Sequence, residues 1–214
     1  MDDLRVPAPA RRRFRLVVLP MAPWVFGAAG LAYAVMPQLV GFRVGDWGLA
    51  YATGLTVLTL GTGAAVQPVA RWLHGEAGNS EMGNGEAGTR TGRAPVAAMA
   101  VMLLGAALCA ANAVLLSPWL AAVTAAALGA GYGIAVVSGL LEIQRMAGPD
   151  DLAGLTGVYY TLAYAGFLLP TVLATLSSWL SYPVMLAAVA AAALVCLGLV
   201  VTGARVTEPA APAR

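Results

Sequence analysis

The chain has 214 residues, 60% of them apolar and only 10% charged, with a formal net charge of +2 and a mean hydropathy of +0.79. Soluble domains usually carry about 25% charged residues, so an ordinary water-soluble enzyme is excluded and one membrane domain is the economical reading. All twelve basic residues are arginine, and His74 is the one histidine. Without lysine there is no phosphate-loop lysine and no Schiff-base nucleophile, and a single histidine cannot build a histidine-rich metal site.

Six apolar runs follow in chain order, at 16–40, 47–70, 95–116, 119–141, 152–176 and 182–201. Each is close to the ~20 residues that a ~30 Å hydrocarbon core demands of a helix. The predicted organisation is a basic tail at 1–15, a six-helix transmembrane domain at 16–204 with a flexible Gly/Glu-rich loop at 75–94, and a second tail at 205–214. Let the turns alternate between the two sides. Arg5, Arg11, Arg12, Arg13, Arg15, Arg71, Arg90, Arg93, Arg145, Arg205 and Arg214 then share one side, and Arg43 stands alone on the other. Basic loops resist translocation. Both termini are therefore expected in the cytoplasm, in a multi-pass protein of a bacterial inner membrane. The absence of lysine beside abundant alanine and arginine hints at a GC-rich bacterial genome.

The first span opens with Arg11-Arg12-Arg13-Phe14, which resembles a twin-arginine export signal. Five further spans follow it, so a retained helix is expected instead. Pro23, Gly27, Gly30 and Pro37 give this span a small-residue face interrupted by prolines, a feature of helices that bend. On the second span Thr53, Thr56 and Gln67 form a sparse polar face. Asn112 on the third reads as a helix–helix hydrogen bond, and Cys109 and Cys196 as small buried residues outside any disulfide. Gly61, Gly63, Gly129, Gly131 and Gly133 lie mid-span, where small residues let helix backbones approach. Five tryptophans, Trp24, Trp47, Trp72, Trp119 and Trp179, lie towards span ends and read as interfacial anchors.

The fourth and fifth spans carry the residues of chemical interest. Glu142 near the end of the fourth is open to three readings. It can pair locally with Arg145, pair across a gate with Arg71 or Arg93, or belong to a surface pair. Pro149-Asp150-Asp151 is expected to cap the fifth span. Along that span Thr156, Tyr159, Tyr160, Tyr164 and Phe167 recur at helical spacing as a polar-aromatic stripe, and Leu155, Val158, Leu162 and Leu169 are expected to face lipid. Tyr160 and Tyr164 fall near mid-membrane, as does Tyr132 of the fourth span. With Tyr33, Thr53 and Thr56 they are the candidates to line a cavity for an amphipathic or aromatic solute. Interhelical tyrosine bonding explains the same residues equally well.

Val136-Val137-Ser138-Gly139 resembles the serine segment of intramembrane rhomboid proteases. Those enzymes pair it with a histidine on the sixth span, and 182–201 contains none. A general base is missing, so Ser138 reads as a packing residue and no enzymatic activity, cofactor or metal is expected.

From Arg13 to about Arg205 the chain resembles the C-terminal six-helix half of a major facilitator superfamily transporter. The segment Gly129–Ala174 resembles its tenth and eleventh helices, with the acidic-basic pair Glu142 and Arg145 and the Gly166–Pro170 stretch. Pro23–Gly27 through Met36-Pro37 resembles the seventh helix. Gln67–Arg71 and Gly92-Arg93 bracket a degenerate loop motif whose aspartate is missing. The resemblance implies a 3+3 inverted repeat, although no residue-level repeat is evident from the sequence. It also implies a cavity lined by spans one, two, four and five, a gate involving Arg71, Arg93, Glu142 and Arg145, and transport of a small solute, such as an exported lipophilic one, by alternating access. Half a cavity implies a partner, either an N-terminal half or a second copy. The competing expectation is a six-helix scaffold or remnant that binds a partner through the same face without moving solute.

Overall fold

The computed structural model describes residues 11–74, 93–148 and 151–206, with the backbone alone for His74 and Val206. Pro149, Asp150 and Arg90, most of the 75–94 loop and the outer parts of both tails lie outside the described residues. Among those described, every regular element is helical. Six helices are long and apolar enough to cross a membrane: α1 Arg11–Arg43, α2 Gly45–Leu73, α3 Arg93–Leu115, α4 Pro118–Met146, α5 Leu152–Leu176 and α6 Tyr182–Arg205. The chain is thus a multi-pass, all-α membrane protein.

The helix ends differ from the predicted spans in one informative way. α1 begins at Arg11, so Arg11, Arg12, Arg13 and Arg15 are helical and not part of a tail. Arginine is a good helix former, and the first of these turns is fixed by packing described below. Prolines shape the rest of α1. Pro20 and Pro37 each follow a widened π turn, Phe14–Val18 and Leu31–Val35, in which Leu19 N–H reaches Phe14 O and Met36 N–H reaches Leu31 O. A proline ring collides with the carbonyl four residues earlier, and a turn with one extra residue moves that carbonyl away.

α5 bends for the same reason. At Gly166 and Phe167 the ladder tightens, with Phe167 N–H on Tyr164 O and Leu169 N–H on Gly166 O, both 3.0–3.1 Å. Pro170 has no N–H to give Gly166 O, and the Leu169 bond takes its place. The turn between α3 and α4 is held by Asn112, whose Oδ1 accepts the Ser117 N–H at 2.9 Å, while its Nδ2 lies 3.7 Å from Met36 Sδ on α1. That anchor sustains Leu116 at φ +52°, in the left-handed region.

α1 and α4 pack together at the centre. α2 lies on α4 and α5 on α1; α3 packs on α4, α6 on α1, and α3 and α6 pack on each other. Exchanging α1 with α4, α2 with α5 and α3 with α6 reproduces this pattern of neighbours. The two closest crossings obey the same exchange. Gly129 and Gly133 of α4 seat directly on the backbone of Thr59 and Gly63 in α2, and Gly166 of α5 seats on Pro23 and Gly27 of α1. A Cβ at Gly133 or Gly166 would run into the opposing backbone. These are close approaches of the small-residue kind that membrane helices use.

Two sequence expectations about facing are overturned. Leu155 is fully buried and belongs to the inward face of α5, with Tyr159, Ala163, Gly166 and Leu173. Spacing of polar residues misassigned that face because the smallest residues, not the most polar, mark where α5 meets α1. Trp24 is also buried, unlike the exposed Trp47, Trp72, Trp119 and Trp179. With α1 starting at Arg11, Trp24 lies about 20 Å along the helix, too deep for an interfacial ring.

Candidate functional site

One continuous aromatic surface joins α1, α4 and α5. Phe26 stacks on Tyr164 with ring centroids 4.9 Å apart and on Phe167 at 4.5 Å, and meets Tyr132 at 6.2 Å. Tyr160 lies 6.2 Å from Tyr164 and 5.5 Å edge-on from Tyr159. Offset and tilted aromatic pairs of this kind contribute about 0.5–1.5 kcal/mol each beyond the area they bury. The glycine seats set the positions of these rings. Tyr132 lies over Gly63, where an added Cβ would stand 2.7 Å from its Cδ1. Tyr159, the deepest phenol, covers Gly139 and donates to Ala135 O at 3.1 Å. The outer part of the surface is open: Tyr164 is 56% and Phe167 40% exposed.

Of the sequence-derived cavity candidates, Tyr132, Tyr160 and Tyr164 come together here. Tyr33, half-buried on the second π turn of α1, has its phenol within electrostatic reach of Tyr132. Thr53 and Thr56 do not join them among the described residues. Their hydroxyls bond back to Leu49 O and Ala52 O, each at 3.0 Å, within α2. Phe26, the ring that links all three helices, is the residue that sequence reasoning passed over. Its signal was weak, a lone phenylalanine in an apolar helix.

At the arginine-rich end, Glu142 is fully buried and held in a two-pronged ion pair. Arg13 Nε donates to Oε2 at 2.6 Å and Arg13 Nη2 to Oε1 at 2.8 Å. The surface-pair reading of Glu142 is thereby corrected. In this conformation the partner across helices is Arg13 of α1, and Arg71 and Arg93 are both exposed at their helix ends. Arg145 is exposed as well, on the turn after Glu142. Arg13 was counted only as a topogenic charge because the predicted span began at residue 16. Nearby, Ser138 Oγ lies 3.4 Å from Ala135 O and 3.8 Å from Met21 Sδ, buried in the α1–α4 contact. At the start of α5 the Asp151 side chain makes no capping bond, so only its charge meets the helix dipole.

Comparison with known protein families, with curated proteins and with solved structures returned no match. Among the described residues no group of histidine, cysteine and acidic side chains is arranged to hold a metal ion. The arrangement offers stacking on open rings, hydrogen bonding to phenols, and a buried charge pair between α1 and α4.

Proposed function

We propose that the chain is one six-helix half of a major facilitator-type secondary transporter and moves a small, flat amphipathic solute by alternating access. The observation that carries this is the open aromatic surface of Phe26, Tyr132, Tyr160, Tyr164 and Phe167 on three helices at mid-span. Phenol hydroxyls at mid-membrane depth favour a polar partner over lipid, and half of a central cavity requires a second bundle to close it. Three further features support the reading. The pattern of neighbours is preserved when helices one to three exchange with four to six, as in inverted repeats. α3 and α6 pack together behind α1 and α4. Pro20, Pro23 and Pro37 lie inside α1 and Pro170 inside α5, two helices whose ladders are interrupted. In this proposal the arginine-rich end faces the cytoplasm of a bacterial inner membrane, and the partner is an N-terminal half or a second copy. The Arg13–Glu142 pair makes α1 and α4 move as one piece.

The test is flux of planar aromatic dyes in inverted vesicles from cells expressing the chain with its partner bundle. Phe26→Ala and Tyr164→Ala should each lower dye flux severalfold at unchanged protein level. Flux that is the same with either substitution, or without the chain, overturns transport. A partner bundle still retained by the chain would then leave the scaffold reading standing.

A further inference from the structure

α5 and α6 both pack on α1, and between them a groove of about 450 Å³ opens on the outer surface of the bundle. Pro23, Trp24 and Gly27 form its floor, Leu169 one wall, and Ala192 and Cys196 the other. It exists because proline and glycine on α1 offer no bulk where the two flanking helices diverge. It lies on the side of α1 away from Glu142, and every residue lining it is apolar. One end of the groove begins at Leu19 and Pro20, and just before them stand Arg12 and Arg15, both exposed. The widened turn Phe14–Val18 advances less per residue than an α-helix. Arg15 lies about one widened turn before Leu19, Arg12 stands nearer the helix start, and Arg13 turns to α4.

We propose that this groove is a specific site for an anionic phospholipid of the leaflet at the arginine-rich end. Its phosphate is held by Arg12 and Arg15 and one acyl chain lies over Trp24. A guanidinium fork matches phosphate oxygens, and Arg15 is one widened turn, under ~6 Å along the axis, from the groove's first residue. That is the spacing between a lipid headgroup and the start of its chain. A second copy of this chain is the poorer occupant. A two-fold contact sets the same patch against itself, which would place two sets of arginines face to face. The proposal requires only that lipid surrounds the bundle, and it is independent of transport.

Trp24 is a built-in reporter. In the full chain, Trp47, Trp72, Trp119 and Trp179 are replaced by Phe, and the protein is reconstituted in phosphatidylcholine vesicles. These are doped with phosphatidylglycerol or phosphatidylcholine carrying brominated acyl chains. Brominated phosphatidylglycerol should quench Trp24 at roughly tenfold or lower mole fractions than brominated phosphatidylcholine. Arg12→Gln with Arg15→Gln should abolish the preference, about fivefold for each arginine by the attraction of a surface-near basic residue. Both arginines are exposed, and circular dichroism checks that the variant retains its helices. Equal quenching by the two headgroups, or a preference that survives the double substitution, overturns the proposal. So does a Trp24 that neither lipid quenches while a variant keeping Trp72 alone is quenched, which would assign the groove to a protein neighbour.

Discussion

The Arg13–Glu142 pair makes a sharp prediction because its two members are buried unequally. Glu142 is completely buried, whereas the Arg13 side chain retains 19% exposure two residues into α1. Replacing Arg13 by Met takes two guanidinium donors from a buried carboxylate, and breaking a buried pair by removing one partner costs about 3–5 kcal/mol. Replacing Glu142 by Gln costs less. The arginine can slide its head towards the interface along its apolar stem, and the loss is that of charge-assisted hydrogen bonds, about 1.5–3 kcal/mol. The double variant Arg13→Met, Glu142→Met should return close to the parent, because an apolar pair of similar volume often matches a buried ion pair. A coupling of at least ~2 kcal/mol between the sites follows. Unfolding of the purified protein in mixed micelles of dodecylmaltoside and increasing dodecylsulfate, followed by circular dichroism, measures all three. Equal effects of the two single changes, together with additivity in the double variant, would show that the carboxylate is not desolvated and refute the reasoning.

The glycine seats should separate from glycines that merely occur in helices. Gly133→Ala and Gly166→Ala push a Cβ into opposing backbone and should destabilise by about 1–3 kcal/mol or more, whereas Gly54→Ala and Gly61→Ala meet open space and should gain up to ~1 kcal/mol in helix propensity; the same micellar unfolding assay ranks them. Asn112→Ala removes the acceptor for the Ser117 N–H and should cost about 1–2 kcal/mol, with increased proteolysis at the Leu116–Ser117 turn as a second readout. Reporter fusions after Leu73 and after Arg205 should report the same side of the membrane, and a fusion at Arg43 the opposite one; any other pattern contradicts six crossings.

Much of the architecture was legible because lipid imposes few solutions. Apolar length located all six helices. Faces were harder. In water a polar stripe marks the surface, but in a bilayer both the packed and the lipid-facing sides are apolar. The side that packs is marked by small residues. Leu155 was misplaced on that account, and Gly166, one helical stripe from it, was the better guide. The aromatic surface was half visible. Tyr160 and Tyr164 stood out as phenols in an apolar helix, while Phe26 had nothing local to distinguish it. The ion pair was hidden by a boundary: polar residues at a helix start lower the apolar score, so Arg13 fell outside the span that it anchors.

The same geometry also explains why the aromatic surface lies where it does. Phe26-Gly27 on α1 and Tyr132-Gly133 on α4 are both ring–glycine pairs at crossings of the two central helices. On α4 the glycine itself admits α2 to backbone contact, whereas at α1 the glycine that needs the space is Gly166 of α5, seated on Pro23 and Gly27. The preceding ring is then directed beside the crossing, over the partner helix: Phe26 onto Tyr164 and Phe167, Tyr132 onto Gly63. The two rings meet each other at 6.2 Å where α1 and α4 adjoin. Ring positions are therefore coupled to helix spacing. A side chain at Gly133 or Gly166 should move the open surface as well as loosen the bundle, whereas Phe26→Leu should leave the crossing intact and remove only the stacking face.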